Sequence, residues 1–226
     1  MGPDRESRIK AIARIGGVVL GLAFAVPPAS AEWFTDLYLE GAFTDKTDVK
    51  VDSPTGETTL KNIRVNRSSG YGVRIGYWLD VARYFGVSLD VSHFRPDTVP
   101  ASLKRLDLYM TPMAFDLMLR WPLLVTDVIP QGRLQPYLTV GPAVALAEAK
   151  DTTNLMPTDQ YETDFPLGLQ AAAGVVWQFY PHVALFAEYR YSHFSPEFTF
   201  RTPPGSTRLR FDLDTRYPLA GISVRF

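Results

Sequence analysis

The chain has 226 residues, 46% hydrophobic and 21% charged, with 23 basic against 24 acidic side chains and no cysteine. That length suits one domain. The near balance of charge argues against a nucleic-acid partner, and the lack of cysteine excludes disulfides and thiolate metal sites.

Arg5, Arg8, Lys10 and Arg14 open the chain, Ile15 to Val26 is free of charge, and Pro27-Pro28-Ala29-Ser30-Ala31 offers an Ala-x-Ala cleavage site. This predicts a cleavable secretory signal peptide over residues 1–31. Its twelve uncharged residues are too few for a helix spanning a bilayer, which needs about 20. The domain that follows, 32–226, holds 19 basic and 22 acidic residues, a net charge of −3.

Eight amphipathic segments follow in order: Trp33 to Phe43, Tyr71 to Leu79, Phe85 to Phe94, Leu106 to Trp121, Leu134 to Ala147, Leu167 to Phe179, Val183 to Phe194 and Leu209 to Phe226. In the second, Tyr71, Val73, Ile75 and Tyr77 alternate with Gly70, Gly72, Arg74 and Gly76; in the third, Phe85, Val87, Leu89 and Val91 alternate with Gly86, Ser88, Asp90 and Ser92. Period-two alternation is the signal of a two-faced strand. Between them, 45–68, 95–105, 148–166 and 195–208 read as long polar loops, whereas 80–84 and 180–182 are tight turns. The connection 122–133 is long for its place in that alternation.

Lysine decides which way the apolar faces point. All six lysines (Lys10, Lys46, Lys50, Lys61, Lys104, Lys150) fall in the signal or the loops, although the wet face of a soluble strand would carry several. The apolar faces are therefore assigned to lipid, predicting an all-β fold, an eight-stranded antiparallel up-and-down transmembrane β-barrel of an outer membrane, with long loops outside and short turns in the periplasm. Trp33, Trp78, Trp121 and Trp177 are predicted as an aromatic girdle at the periplasmic boundary. Terminal Phe226, closing the alternation Ala220, Ile222, Val224, is predicted as the assembly signal read by the barrel-assembly machinery. Apolar parity switches near Thr111-Pro112 and near Tyr217-Pro218, which predicts a β-bulge at each.

By parity, Asp36, Glu40, Arg74, Asp90, Asp116, Arg120, Glu188, Arg190, Asp212 and Arg225 point inward. Eight strands leave a lumen that side chains fill, so these charges are expected to pair as an interior network. A narrow gated channel is the other use of such a lining. Ser92-His93-Phe94 and Ser192-His193-Phe194 repeat at the outer ends of the third and seventh segments. Their histidines have outward parity on opposite walls, so no shared metal is expected, and no cofactor. Arg64, Arg67, Arg95, Lys104, Arg105, Arg201, Arg208 and Arg210 lie at or beyond the outer rim, where guanidinium suits phosphate; outer-membrane lipid and lipopolysaccharide are the expected partners of a monomer.

The stretches Leu134-Gln135-Pro136-Tyr137-Leu138-Thr139-Val140-Gly141-Pro142 and Phe186-Ala187-Glu188-Tyr189-Arg190-Tyr191-Ser192-His193-Phe194-Ser195 resemble the OmpA-like family of small outer-membrane barrels, over the whole of 32–226. The resemblance implies architecture, with structural, adhesive or lipid-modifying roles, and no peptidoglycan-binding domain follows in this chain. His193 and Ser195 also resemble the His-x-Ser motif of the lipid A deacylases, which implies His193 as base, Ser195 as nucleophile and Glu197 as the supporting carboxylate. Pro196 stands where those enzymes carry Asn, and parity offers no outward glutamate on the last strand. The leading expectation is accordingly a non-enzymatic barrel, with the hydrolase as the alternative.

Overall fold

A computed structural model describes residues 32–53, 56–65, 67–79, 82–96, 98–99, 106–151, 161–202 and 205–226. The predicted signal peptide lies outside these residues. Eight strands form the barrel: β1 (Glu32–Thr44), β4 (Ser68–Trp78), β5 (Phe85–Phe94), β7 (Leu106–Arg120), β8 (Leu134–Asp151), β10 (Leu167–Tyr180), β11 (Val183–Phe194) and β14 (Leu213–Arg225). They hydrogen-bond in the order β10-β11-β14-β1-β4-β5-β7-β8, and β8 returns to β10 to close the wall. Every pair is antiparallel, and β14 meets β1 from Arg225↔Phe34 to Thr215↔Thr44. Closure leaves no free edge at membrane depth, the condition a sheet must meet in lipid.

The segments read as loops outside the barrel carry more structure than expected. β2 (Thr47–Ser53), β3 (Gly56–Val65), β6 (Thr98–Val99), β12 (Glu197–Thr202) and β13 (Gly205–Phe211) make a second sheet in the order β12-β13-β2-β3-β6, while β9 (Tyr161–Asp164) lengthens the main sheet beside β8. The last predicted segment, Leu209 to Phe226, is thus two strands parted at Asp212.

Burial alternates strictly along the wall. β11 reads Ala184, Phe186, Glu188, Arg190, Ser192 and Phe194 inward against Leu185, Ala187, Tyr189, Tyr191 and His193 outward. The predicted bulges are absent: Thr111↔Leu146, Pro112↔Ala145 and Met113↔Val144 keep one register, as do Tyr217↔Arg190 and Pro218↔Tyr189. Parity never slips; the surroundings change. Above the membrane, water replaces lipid outside, so Asp214 and Arg216 face outward, while Leu213, Tyr217, Leu108 and Met110 turn in to a small apolar core with Phe94, Phe198 and Phe211. Register shifts do occur between Gln178 and Tyr180 and between Thr47 and Val49.

The tryptophan prediction also needs correction. Trp33, Trp121 and Trp177 are exposed, but Trp78 is buried in the lumen, stacked on Phe34 with the Arg120 guanidinium 4.2 Å from its ring centroid. Its partner in register is inward Glu32, so the pleat sends it inside. The 122–133 connection is folded as well. Leu123 bridges Leu134, Thr126 and Ile129 exchange backbone hydrogen bonds, Ile129 is buried, and Leu124 takes the left-handed conformation with φ 53°.

Candidate functional site

The middle of the lumen is closed by two buried arginines. Arg74 donates through Nε to Asp90 at 2.9 Å and through Nη2 to Glu188 at 2.6 Å, and lies 3.5 Å from Asp36. Arg190 donates to Glu188 and twice to Asp90, and stands 3.9 Å from Glu40. Tyr38 donates to Asp90 and Tyr137 to Glu188, both at 2.6 Å, completing a lattice in which charged hydrogen bonds compensate burial. Small residues make the room: a Cβ at Gly72 would strike the Tyr38 ring and one at Gly76 the Phe34 ring.

This lattice is acid-rich. Among the described residues the five acids Asp36, Glu40, Asp90, Asp116 and Glu188 are gathered around two arginines, Arg74 and Arg190, with Arg225 also acting on Asp36. Asp116 accepts from Gln170 at 3.1 Å, and Asp36 Oδ1, both Glu40 oxygens and Asp116 Oδ1 have no hydrogen-bond partner among the described residues. At the periplasmic mouth a second group forms, with Arg225 and Arg120 on Glu32 at 2.7 and 2.5 Å and Arg120, Gln135 and Gln178 linked in series. Of the predicted interior charges, Asp212 is misplaced: it is exposed beyond the barrel wall and accepts from Ser195 at 2.9 Å. Parity runs unbroken through Asp212, but here the apolar Leu209, Phe211 and Leu213 are the buried side and Asp212 the exposed one, the reverse of the lipid-facing wall below.

The same reversal hid Asp214. On the outer wall His193 Nδ1 lies 2.8 Å from Asp214 Oδ1, and the Tyr191 hydroxyl donates to the same oxygen. Arg216, the cross-strand partner of Tyr191, pairs with Asp45 at 2.7 Å. Ser195 turns to Asp212, and Glu197 pairs with Arg208 and Arg210 at 3.0 and 2.5 Å. The three deacylase candidates are therefore not joined as a triad; His193 has a carboxylate, but on β14. Across the barrel His93 sits between Tyr71 and Tyr109, with centroids at 5.9 and 6.4 Å, and bonds Thr111 at 2.9 Å. β5 and β11 are separated by β4, β1 and β14, and among the described residues no three His, Asp or Glu gather as metal ligands.

Arg208 and Arg210 are held by Glu197, whereas Arg67 lies over Phe43 and Arg95 over Tyr109, each 5.1 Å from the centroid. Arg64 lies in β3 and Arg201 in β12; Lys104 and Arg105 fall outside the described residues.

Closed wall, lipid-facing apolar exterior and plugged lumen define a transmembrane barrel of the outer membrane. The chain belongs to the outer membrane protein beta-barrel domain family, whose model matches residues 16–226. Among solved structures it is similar to OprG from Pseudomonas aeruginosa, at 14% identity and TM-score 0.65 over 87% of this chain and 96% of that one. It is likewise similar to AlkL, determined in lipid bilayers, at 16% and 0.61 over 89% and 93%, and to Neisserial surface protein A, at 15% and 0.51 over 84% and 97%. At these identities the likeness is one of fold. No curated protein matches the sequence.

Proposed function

We propose that this outer-membrane barrel acts through its rim and outer sheet as a monomeric envelope and surface-contact protein that does not conduct through its lumen. The observation carrying this reading is the Arg74, Glu188, Arg190 and Asp90 lattice, which fills the mid-section beneath the apolar Phe94 and Tyr217 layer. Lipopolysaccharide phosphates are the contacts proposed for Arg67 and Arg95, and Phe226 the residue proposed to engage the assembly machinery. The test is a planar-bilayer recording paired with a deletion strain. Silence of the folded protein, together with increased sensitivity of the deletion strain to detergent and chelator, supports the reading; steady discrete conductance refutes it.

A second reading, a lipid-ester hydrolase, is favoured by one observation, the outward Asp214 and His193 pair at the membrane's outer boundary. An Asp that orients a His base is two-thirds of a hydrolytic triad. It requires Ser195 to leave Asp212. Mass spectrometry of lipid A from cells with and without the protein decides it, since an unchanged acyl pattern excludes the reading.

A further inference from the structure

We propose that the outer wall over β8, β10 and β11 is a seat for one membrane lipid whose headgroup carries both a phosphate and an amine, with an acyl chain lying along the wall. This rests on the outer-membrane placement and goes beyond the rim contacts above.

The wall is not evenly ridged. Ala171 and Ala173 on β10 are flanked in register by Val140 and Leu138 on one side and by Tyr191 and Tyr189 on the other. Two methyl side chains between taller neighbours form the upper end of a concavity of about 770 Å³ that continues past Leu138 and Val140 to Leu117, Leu119, Phe85 and Val87, lined almost wholly by apolar atoms and open to the bilayer. Small residues allow close approach of a partner in a membrane, where packing rather than water expulsion drives association. An extended hydrocarbon chain can lie over Ala171 and Ala173 between these taller neighbours and reach the wider concavity beyond β8.

The upper end of the groove supplies the second, independent observation. Tyr191 ends it, and the Tyr191 hydroxyl belongs to the polar cluster of Asp214, His193, Arg216 and Asp45. From Val224 to Arg216 is eight residues along β14; at about 3.4 Å per residue and a tilt of about 40° this climbs about 21 Å, close to the top of an apolar band about 25 Å tall. The cluster therefore stands at headgroup height and is joined to the groove through Tyr191. Its charges alternate. Arg216 is paired with Asp45 and His193 with Asp214, so a headgroup with both signs, its phosphate toward Arg216 and its ammonium toward Asp45 and Asp214, can enter these pairs and leave no charge unmatched, where a purely anionic one would meet two carboxylates.

The test uses the purified, folded full-length barrel with equal amounts of phosphatidylethanolamine and phosphatidylglycerol of identical chains, read by native mass spectrometry, with heat-shifted gel mobility as the control for folding. The expected result is retention of one phosphatidylethanolamine at least fivefold over phosphatidylglycerol. Arg216→Ala and Asp214→Asn should each level that preference, and Ala171→Phe, which blocks the groove over β10 beside Tyr191, should lower retention of both lipids. Equal retention by the wild type, or undiminished retention by a correctly folded Ala171→Phe variant, overturns the seat while leaving the barrel reading intact. Retained lipid of unaltered mass separates binding from hydrolysis at His193.

Discussion

Glu188 and Asp116 are both buried lumen carboxylates, yet their removal should have opposite weight. Glu188 takes Arg74 and Tyr137 on one oxygen, both at 2.6 Å, and Arg190 on the other at 2.9 Å. In Glu188→Gln the amide can accept through one atom only, and its NH2 is aimed at a guanidinium that also donates. Breaking a buried ion pair from one side costs about 3–5 kcal/mol, which for a chain of this size lowers the midpoint of thermal unfolding by about 6–20 °C. Asp116 accepts one hydrogen bond, from Gln170, and its other oxygen has no partner. Asp116→Asn keeps that bond through the amide oxygen and removes one negative charge from an acid-rich layer, so its effect should stay within about 1 kcal/mol. The assay is the temperature at which folded gel mobility is lost, supported by urea unfolding in lipid vesicles. If Asp116→Asn lost as much as Glu188→Gln, the argument from surplus acid would be refuted.

Four further outcomes follow from named contacts. Among single-tryptophan variants, bilayer-embedded quenchers should dim Trp33, Trp121 and Trp177 and spare Trp78, because only Trp78 is inside; quenching of Trp78 would place it back in the girdle. Gly72→Val should cost about 1–3 kcal/mol through overlap with the Tyr38 ring, read as a lower urea midpoint with unchanged slope. Leu124→Asn should stabilise by up to about 1 kcal/mol, since Asn tolerates the left-handed backbone that Leu124 occupies while exposed. Glu197→Ala frees both Arg208 and Arg210 and should leave stability within about 1 kcal/mol, because exposed ion pairs contribute little.

The barrel was legible in the sequence because alternation needs no tertiary knowledge: β5 and β11 begin and end at the predicted residues, Phe85 to Phe94 and Val183 to Phe194. The lumen lattice was legible in part, since inward parity names Arg74 and Glu188 but cannot say which acid meets which base. Tyr38, Tyr137 and Gln170 share that parity and were passed over because a neutral polar residue inside a strand carries no charge signal. The failures have one physical origin. Polarity was read against a constant environment, whereas the outer face passes from lipid to water near Pro218 and the inner face from ions to hydrocarbon near Met110. Two invented bulges, a misplaced Asp212 and an unseen Asp214 all follow from that single assumption.

The same environmental boundary bears on whether the lumen could ever serve as a path. Opening the mid-section means withdrawing Arg74 and Arg190 from the carboxylates of Asp90 and Glu188. At about 3–5 kcal/mol for each guanidinium separated from its buried partners, the two together cost about 6–10 kcal/mol. With each 1.4 kcal/mol worth a factor of ten, the open fraction is on the order of 10⁻⁴ to 10⁻⁷, before the Phe94 and Tyr217 layer is moved. The outer wall faces no such barrier: Tyr191, His193, Asp214 and Arg216 are already exposed at the height where lipid headgroups begin. Chemistry that is displayed without rearrangement outcompetes chemistry that must first dismantle an ion lattice, and this difference in cost is the ground on which contact at the rim, and not passage through the middle, is proposed.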